Sequence, residues 1–368
     1  MKRKKIGIAI LLGMALCVST AFTAVSVYGA EASETSDPSV NDNGAIITDI
    51  DSRYNEDKQR GELIAYLGAE EMEFQIWQEG EYGFGGLRWS IWGDMNDSYT
   101  EISINKKLLK DAYQQTDVPV EVETVLGNYC LDNDLMRYLV KKGRGKDIKL
   151  VLEKIELSKK EKAIYGEDAY ACKAYFLSGG KKITDLGYNT VQLTLSIRQM
   201  PGGLAVGRLN NKGKLYEMEA RFGGQVGRYR CRFTTNKMGT FIVTSSARLN
   251  YAKRVIKVTS ESLNVQTAAK KNAVTVSWKK PKAFKPKGYQ VYASAKKAGA
   301  YKRIRTTGKL SCVDSGLKSG TKRYYKVRAY AMINGTSFYS KWSNVKVAVA
   351  KERSPQDYEE RPRKVRCG

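Results

Sequence analysis

"YYKVRAYAMINGTSFYSKWSNVKVAV", residues 324–349, alternates apolar and polar side chains, turns at Asn334-Gly335 and alternates again. An Asn-Gly pair between such runs predicts an antiparallel hairpin, because both turn residues must enter the left-handed region and these two do so at least cost. Upstream, "NAVTVSWKK" puts Val274, Val276 and Trp278 on one face, and "GYQVYAS" adds Tyr289 and Val291. "YKRIRTTG", "LSCVDSGL" and "SGTKRYYKVRAY" follow. Seven strands at this spacing predict an immunoglobulin-like β-sandwich over residues 262–350, closed by the opening hairpin as its last two strands. Trp278 is expected between the two sheets with Tyr325 and Val327 near it.

Outward from this sandwich the chain still reads mainly β. Residues 63–250 form a β-rich module with short helices. Its strands alternate at Met72, Phe74 and Ile76, at Leu87, Trp89 and Ile91, and at Ile102 and Ile104. "NKKLLKDAYQQ" and "DNDLMRYLVKKG" are amphipathic helical stretches, the second with an Asp/Asn start and a stop at Gly143. From Glu167 to about Ser246 the pattern is β, with hairpins at "SGG" and at Asn211-Lys212-Gly213. A division of this module into two halves near residue 160 stays open. Residues 251–261 read as a linker and 351–368 as a charged tail.

The N-terminus sets the expected compartment. "MKRKK" precedes a long apolar run without acids, and small residues follow at Gly29, Ala30 and Ala32. Residues 1–32 therefore read as a signal peptide, with an uncleaved anchor as the other reading. Residues 33–62 read as a flexible acidic leader. No later stretch is apolar enough to span a membrane, so a secreted, extracellular protein is expected, associated with the cell wall or free.

Two resemblances follow from these segments. Residues 262–350 resemble a fibronectin type III domain of the lysine-rich kind found in clostridial surface proteins. "V-x-V-x-W", "GYQVY", "Y-K-R-I", "GLKSG", "YYKVRAY" and "YSKWSNVKV" occur in that order. Arg323 stands where that family carries a corner tyrosine, and Cys312 where it carries an aromatic. The run "SGGKKITDLG", "VQLTLSI", "GRLNNKGKLYEM" and "GRYRCRFTTNKMGTFIVTS" resembles β-rich modules of secreted surface proteins in Gram-positive bacteria, with "RWSIWGD…EISI" as the companion half. Both resemblances imply β-sandwich folds, and neither implies a defined chemistry.

Charge is unevenly placed. The chain carries a formal +25, yet residues 51–100 hold 4 Lys+Arg against 11 Asp+Glu. Residues 261–350 hold 20 Lys+Arg against only Glu261 and Asp314, a net of +18. Such a domain is drawn to polyanions. For an exported protein the nearest is anionic cell-wall polymer, with an extracellular glycan or protein as the wider class. Nucleic acid is not expected, since no aromatic-basic reading motif is present.

Catalytic chemistry finds little footing. The chain has no histidine, which removes Ser-His-Asp and Cys-His catalysis and the HExxH zinc motif. A glycosidase pair would have to come from Glu71, Glu73, Glu79, Glu81 and Asp94. Trp77, Trp89 and Trp92 offer stacking surfaces for sugars, although the alternation Leu87-Trp89-Ile91 places Trp89 in a core. Asp49, Asp51, Asn55 and Asp57 lack the glycine and closing glutamate of an EF-hand. Cys172 and Cys231 fall on apolar faces, as two small core residues or as the one pair able to bridge.

No catalytic, cofactor or metal residue is assigned and no cofactor is expected. The expectation is a non-enzymatic protein for adhesion, binding or spacing at the bacterial envelope. A carbohydrate-binding accessory module in polysaccharide use is the alternative.

Overall fold

The computed structural model describes residues 10–11, 23–27, 48–68, 87–91, 94–115, 117–198, 204–225 and 227–352. The chain is mainly β and divides into two units, Met1–Leu249 and Asn250–Gly368.

The first unit begins with β1 (Ile10–Leu11), β2 (Thr23–Val27), β3 (Thr48–Asn55), β4 (Arg60–Leu67), β5 (Leu87–Ile91) and β6 (Asp97–Ile104). Helix α1 (Lys106–Gln115), β7 (Val120–Thr124), β8 (Gly127–Leu131), α2 (Asn133–Lys142), β9 (Ile148–Ile155) and α3 (Lys159–Tyr165) follow. The remaining strands are β10 (Tyr170–Ser178), β11 (Lys181–Ile183), β12 (Val191–Ile197), β13 (Leu204–Leu209), β14 (Leu215–Met218), β15 (Arg221–Gln225), β16 (Arg228–Thr235) and β17 (Gly239–Ser245).

They build two sheets, one ordered β1-β2-β5-β7-β8-β12-β16-β15 and one ordered β14-β13-β17-β10-β9-β6-β4-β3, with β11 paired to β10. Strands from either side of residue 160 lie side by side: β9 pairs with β10, and β8 with β12. Of residues 1–32 only β1 and β2 are described, and β2 runs parallel to β5. Among the described residues no helix is long and apolar enough to cross a membrane.

One core joins the two sheets, because alternate residues of each strand point to the same side. The Tyr129 and Phe176 rings stand 5.3 Å apart, and Phe233 and Phe241 4.7 Å. The Tyr129 hydroxyl donates to the Val151 carbonyl at 2.6 Å, which supplies the partner a buried phenol needs. Trp89 is 2% exposed in this core. The β10–β11 turn is Gly179-Gly180, with φ of 53° and 77°, the left-handed pair that a two-residue hairpin requires.

Helix α2 forms where its caps predict. The Asp132 carboxylate accepts from the Leu135 amide at 2.8 Å, the Gly143 amide closes on the Leu139 carbonyl at 2.8 Å, and Lys141 and Lys142 sit in the last turn. Leu135, Met136 and Leu139 are buried. Asp132→Ala is expected to destabilise the first unit by ~1 kcal/mol in a denaturant melt; an unchanged midpoint would show the cap to be redundant.

The second unit contains β18 (Val265–Lys270), β19 (Ala273–Trp278), β20 (Gly288–Ser294), β21 (Lys302–Thr307), β22 (Ser311–Ser315), β23 (Lys322–Ile333), β24 (Thr336–Tyr339) and β25 (Lys346–Val349). A three-stranded sheet β18-β19-β22 faces a sheet β21-β20-β23-β24, with β25 also on β23. Trp278, 5% exposed, lies between them with its ring 5.3 Å from Tyr289, in one cluster with Tyr325 and Val327. At Cys312 a small buried side chain fills the core. Beside Arg323, Tyr325 donates its hydroxyl to Asp314 at 2.9 Å and ties the two sheets together.

Two elements differ from the sequence reading. Most of the stretch read as a linker, residues 251–259, belongs to a helix, α4 (Ser246–Thr259), whose Leu249, Ala252, Val255 and Val258 recur every third residue and are buried. The second arm of the opening hairpin is broken. Asn334 and Gly335 take φ of 48° and 79° as expected, but after Tyr339 the chain leaves the ladder and rejoins it at Lys346.

The break has a cause in two serines. The Ala329 and Val327 amides donate to the hydroxyls of Ser340 and Ser343 at 3.0 and 2.9 Å. The amides of those serines return hydrogen bonds to the same two carbonyls at 2.9 Å each. The segment thus advances three residues for every two on β23, and Trp342 is carried onto the outer face of the sheet.

Candidate functional site

On β23 the odd residues Tyr325, Val327 and Ala329 are buried in the core, so Tyr324, Lys326, Arg328 and Tyr330 point outward. In register, Tyr292 of β20 faces Lys326 and Gln290 faces Arg328. The broken segment supplies Trp342, and the loop before β21 supplies Tyr301.

These side chains stack as a ladder. The Lys326 ammonium lies 4.4 Å from the Tyr301 ring centre and 4.3 Å from that of Trp342. The Arg328 guanidinium lies 4.5 Å from Trp342 and 3.9 Å from Tyr339. Its Nε donates to Gln290 Oε1 at 3.0 Å. Tyr292 braces Trp342 edge-on, 4.9 Å between centres at 78°. Tyr301, Lys326, Trp342, Arg328 and Tyr339 therefore link ring to cation in turn, each cation within 4.5 Å of two ring centres and attracted by their negative faces.

Among the described residues neither cation has a carboxylate partner. Asp314 is committed elsewhere, to Tyr325 and, at 3.7 Å, to Arg323. The ladder thus presents two half-buried positive charges on a surface already rich in lysine.

A cluster in the first unit shows the opposite condition. On its outer face Arg60 bridges Glu62 at 2.9 Å and Glu153 at 2.6 Å, Lys58 reaches Glu62 at 3.0 Å, and Lys149 reaches Glu101 at 2.6 Å. Burial pushes the Glu62 carboxyl up, but hydrogen bonds from Asn55, Lys58 and Arg60 outweigh it and hold the pKa at about 2. Each cation of this cluster faces a carboxylate.

Of the residues weighed for other chemistry, those that are described do not converge. Glu71, Glu73, Glu79, Glu81, Trp77 and Trp92 lie outside the described residues. Asp94 accepts from the Asn96 amide at 2.7 Å and caps a turn. Its neighbour Asp97 is 4% exposed. Burial first, and then the charge of Asp94, push its carboxyl up to about 6, against a hydrogen bond from Ser52. Asp51 pairs with Arg53 at 3.4 Å, and Asn55 donates to Glu62 at 3.0 Å. Among the described residues no group of three acids or thiols is placed to hold a metal. Cys172 and Cys231 are free, buried thiols, and burial pushes each up to about 12. Cys367 lies outside the described residues.

No protein-family model matches the chain, and no curated protein matches it. Among solved structures it is similar to the sixth fibronectin type III domain of human fibronectin type III domain containing protein 3. That similarity has 18% identity over 26% of this chain and 88% of the other, with a TM-score of 0.23. An Fn3-like protein from Clostridium thermocellum is 26% identical over 23% of this chain and 88% of its own, with a TM-score of 0.19. Pectate lyase PelI from Erwinia chrysanthemi, solved with tetragalacturonic acid, is 14% identical over 24% of this chain and 27% of its own, with a TM-score of 0.19. The sandwich assignment of the second unit rests on its sheet order and its core.

Proposed function

We propose that this protein is a non-enzymatic component of a Gram-positive cell envelope whose second unit, a lysine-rich fibronectin type III domain, binds anionic wall polymer. The observation that carries the reading is the charge of residues 261–350, 20 Lys+Arg against two acids for a net of +18. The ladder adds two cations left without carboxylate partners. A surface of this kind attracts a polyanion through many contacts and concentrates it before any specific one forms. The export signal read in residues 1–32 brings the domain to that polymer. Adhesion or spacing at the wall follows from retention there, with no chemical step required of the chain.

Co-sedimentation with purified walls tests this reading. At low salt the full chain and a fragment of residues 246–352 are expected to pellet with teichoic-acid-bearing walls, and a fragment of residues 48–245 is not. Surface charges are screened beyond ~8 Å at physiological ionic strength and ~3 Å at 1 M, so raising salt should release the bound protein. Walls stripped of teichoic acid should retain none. Equal binding by both fragments, or binding indifferent to salt, would reduce the lysines to a solubility feature.

A further inference from the structure

We propose that the Tyr301–Lys326–Trp342–Arg328–Tyr339 ladder is a specific subsite for two successive phosphodiester groups of one polyol-phosphate strand. This rests on the anionic-polymer reading and sharpens it from a diffuse surface to a defined contact.

Three features separate the ladder cations from the exposed lysines around them. The first is order. Most lysines of the second unit, Lys279 and Lys280 among them, are exposed, and a free lysine loses its rotamer freedom when an anion fixes it. Lys326 and Arg328 are already held between rings at 3.9 to 4.5 Å, so that loss is taken in folding and not in binding.

The second is direction. The Arg328 guanidinium lies over the Tyr339 and Trp342 rings, and Gln290 takes its Nε. The two Nη groups along its edge remain open, and a planar fork of N–H donors matches two oxygens of one phosphate. The Lys326 ammonium, with rings on two sides, is a point charge beside it.

The third is spacing. Lys326 and Arg328 are two residues apart on one strand, which sets their attachment points roughly 6.6 Å apart. Two extended residues comprise six backbone bonds. A three-carbon polyol phosphate also repeats every six backbone bonds, through phosphorus, oxygen, three carbons and oxygen. Consecutive phosphates therefore repeat at about the separation of the two attachment points, and the cations these carry both stand within 4.5 Å of the Trp342 ring centre.

The test measures affinity of the full chain for a synthetic glycerol-phosphate oligomer by fluorescence anisotropy at fixed salt. The double variant Lys326→Gln with Arg328→Gln is compared with the charge-matched Lys279→Gln with Lys280→Gln. The ladder variant is expected to lose tenfold or more in affinity, and the control about two- to threefold. Trp342→Leu, which leaves every charge in place, is expected to lose several-fold.

Equal losses in the two charge variants would overturn the subsite and leave the diffuse surface standing. No binding by the unaltered chain would overturn the anionic-polymer reading itself. Equally tight binding of a polycarboxylate oligomer of the same charge would overturn the phosphate assignment. If Arg328→Gln lowers the melting temperature, Lys326→Gln alone and Arg328→Lys decide the matter, and full affinity in both would also overturn the proposal.

Discussion

Trp278→Ala is expected to cost the second unit ~3–5 kcal/mol, the range for emptying a large buried aromatic site. The side chain is 5% exposed between the two sheets and packs 5.3 Å from the Tyr289 ring. Its neighbours are held by sheet hydrogen bonds from β19 and β20, so the cavity cannot collapse without moving backbone. Against a marginal stability of ~5–15 kcal/mol for a whole domain, a loss of this size leaves little margin. Calorimetry of the full chain is expected to lower or abolish one transition and leave the first unit's transition in place. Trp278→Phe separates packing from polarity. The indole Nε1 is buried without a hydrogen-bond partner, and an unsatisfied donor of this kind costs ~1–3 kcal/mol. Phenylalanine removes that donor and keeps an aromatic ring, so it should cost well under half of what alanine does. If alanine costs no more than phenylalanine, Trp278 is not the anchor of this core.

The parts of this fold visible in the sequence were those whose causes are local. Helix α2 was readable end to end because Asp132, the Leu135-Met136-Leu139 stripe and Gly143 lie within twelve residues of one another. The turns at Gly179-Gly180 and Asn334-Gly335 were readable because left-handed backbone selects those residues. Helix α4 has an equally local signal, apolar residues every third position from Leu249 to Val258, but its place between two β-rich regions favours the linker reading over it. Helix α3 also went unread, although Ser158 and Glu161 form a capping box at its start.

What could not be read is long-range. The parallel pairings of β4 with β6 and β5 with β7 arise because consecutive strands alternate between the two sheets, and no stretch of sequence records that. The ladder lies between the two cases. The outward cations of β23 follow from alternation. The arrival of Trp342 depends on Ser340 and Ser343 bonding residues more than ten positions away; the one local trace is the polar pairs Ser340-Lys341 and Ser343-Asn344, which interrupt the alternation in "SKWSNVKV". Charge density was therefore legible as a property of the domain, and its concentration at two ring-held cations was not.

Stability of the first unit is expected to peak near pH 4–5, because two of its carboxyls are shifted in opposite directions. Glu62 is held at about 2 against an ordinary value of 4.5, by donors that outweigh its burial. Its folded pKa is lowered, so its contribution is complete above pH 4.5 and is lost as pH falls toward 2. That contribution is on the order of 2 kcal/mol once solvent screening is allowed for. Asp97 is raised to about 6 against 3.8, by burial and then by Asp94. The folded state binds the extra proton between those values, so stability rises as pH falls from 6 to about 4. The Gly61 backbone passes close to this carboxyl, where a Cβ would stand 2.7 Å from the Asp97 Oδ1. Asp97→Asn should therefore stabilise the unit at pH 7 and flatten the curve between pH 4 and 6. Glu62→Gln should destabilise it at pH 7 and flatten the curve below pH 4.5. Urea midpoints of the two variants and the parent chain between pH 2.5 and 7.5 provide the comparison. A parent curve that rises steadily to pH 7, or an Asp97→Asn variant less stable than the parent at pH 7, would mean that Asp97 is stabilised as the charged form by partners stronger than Ser52.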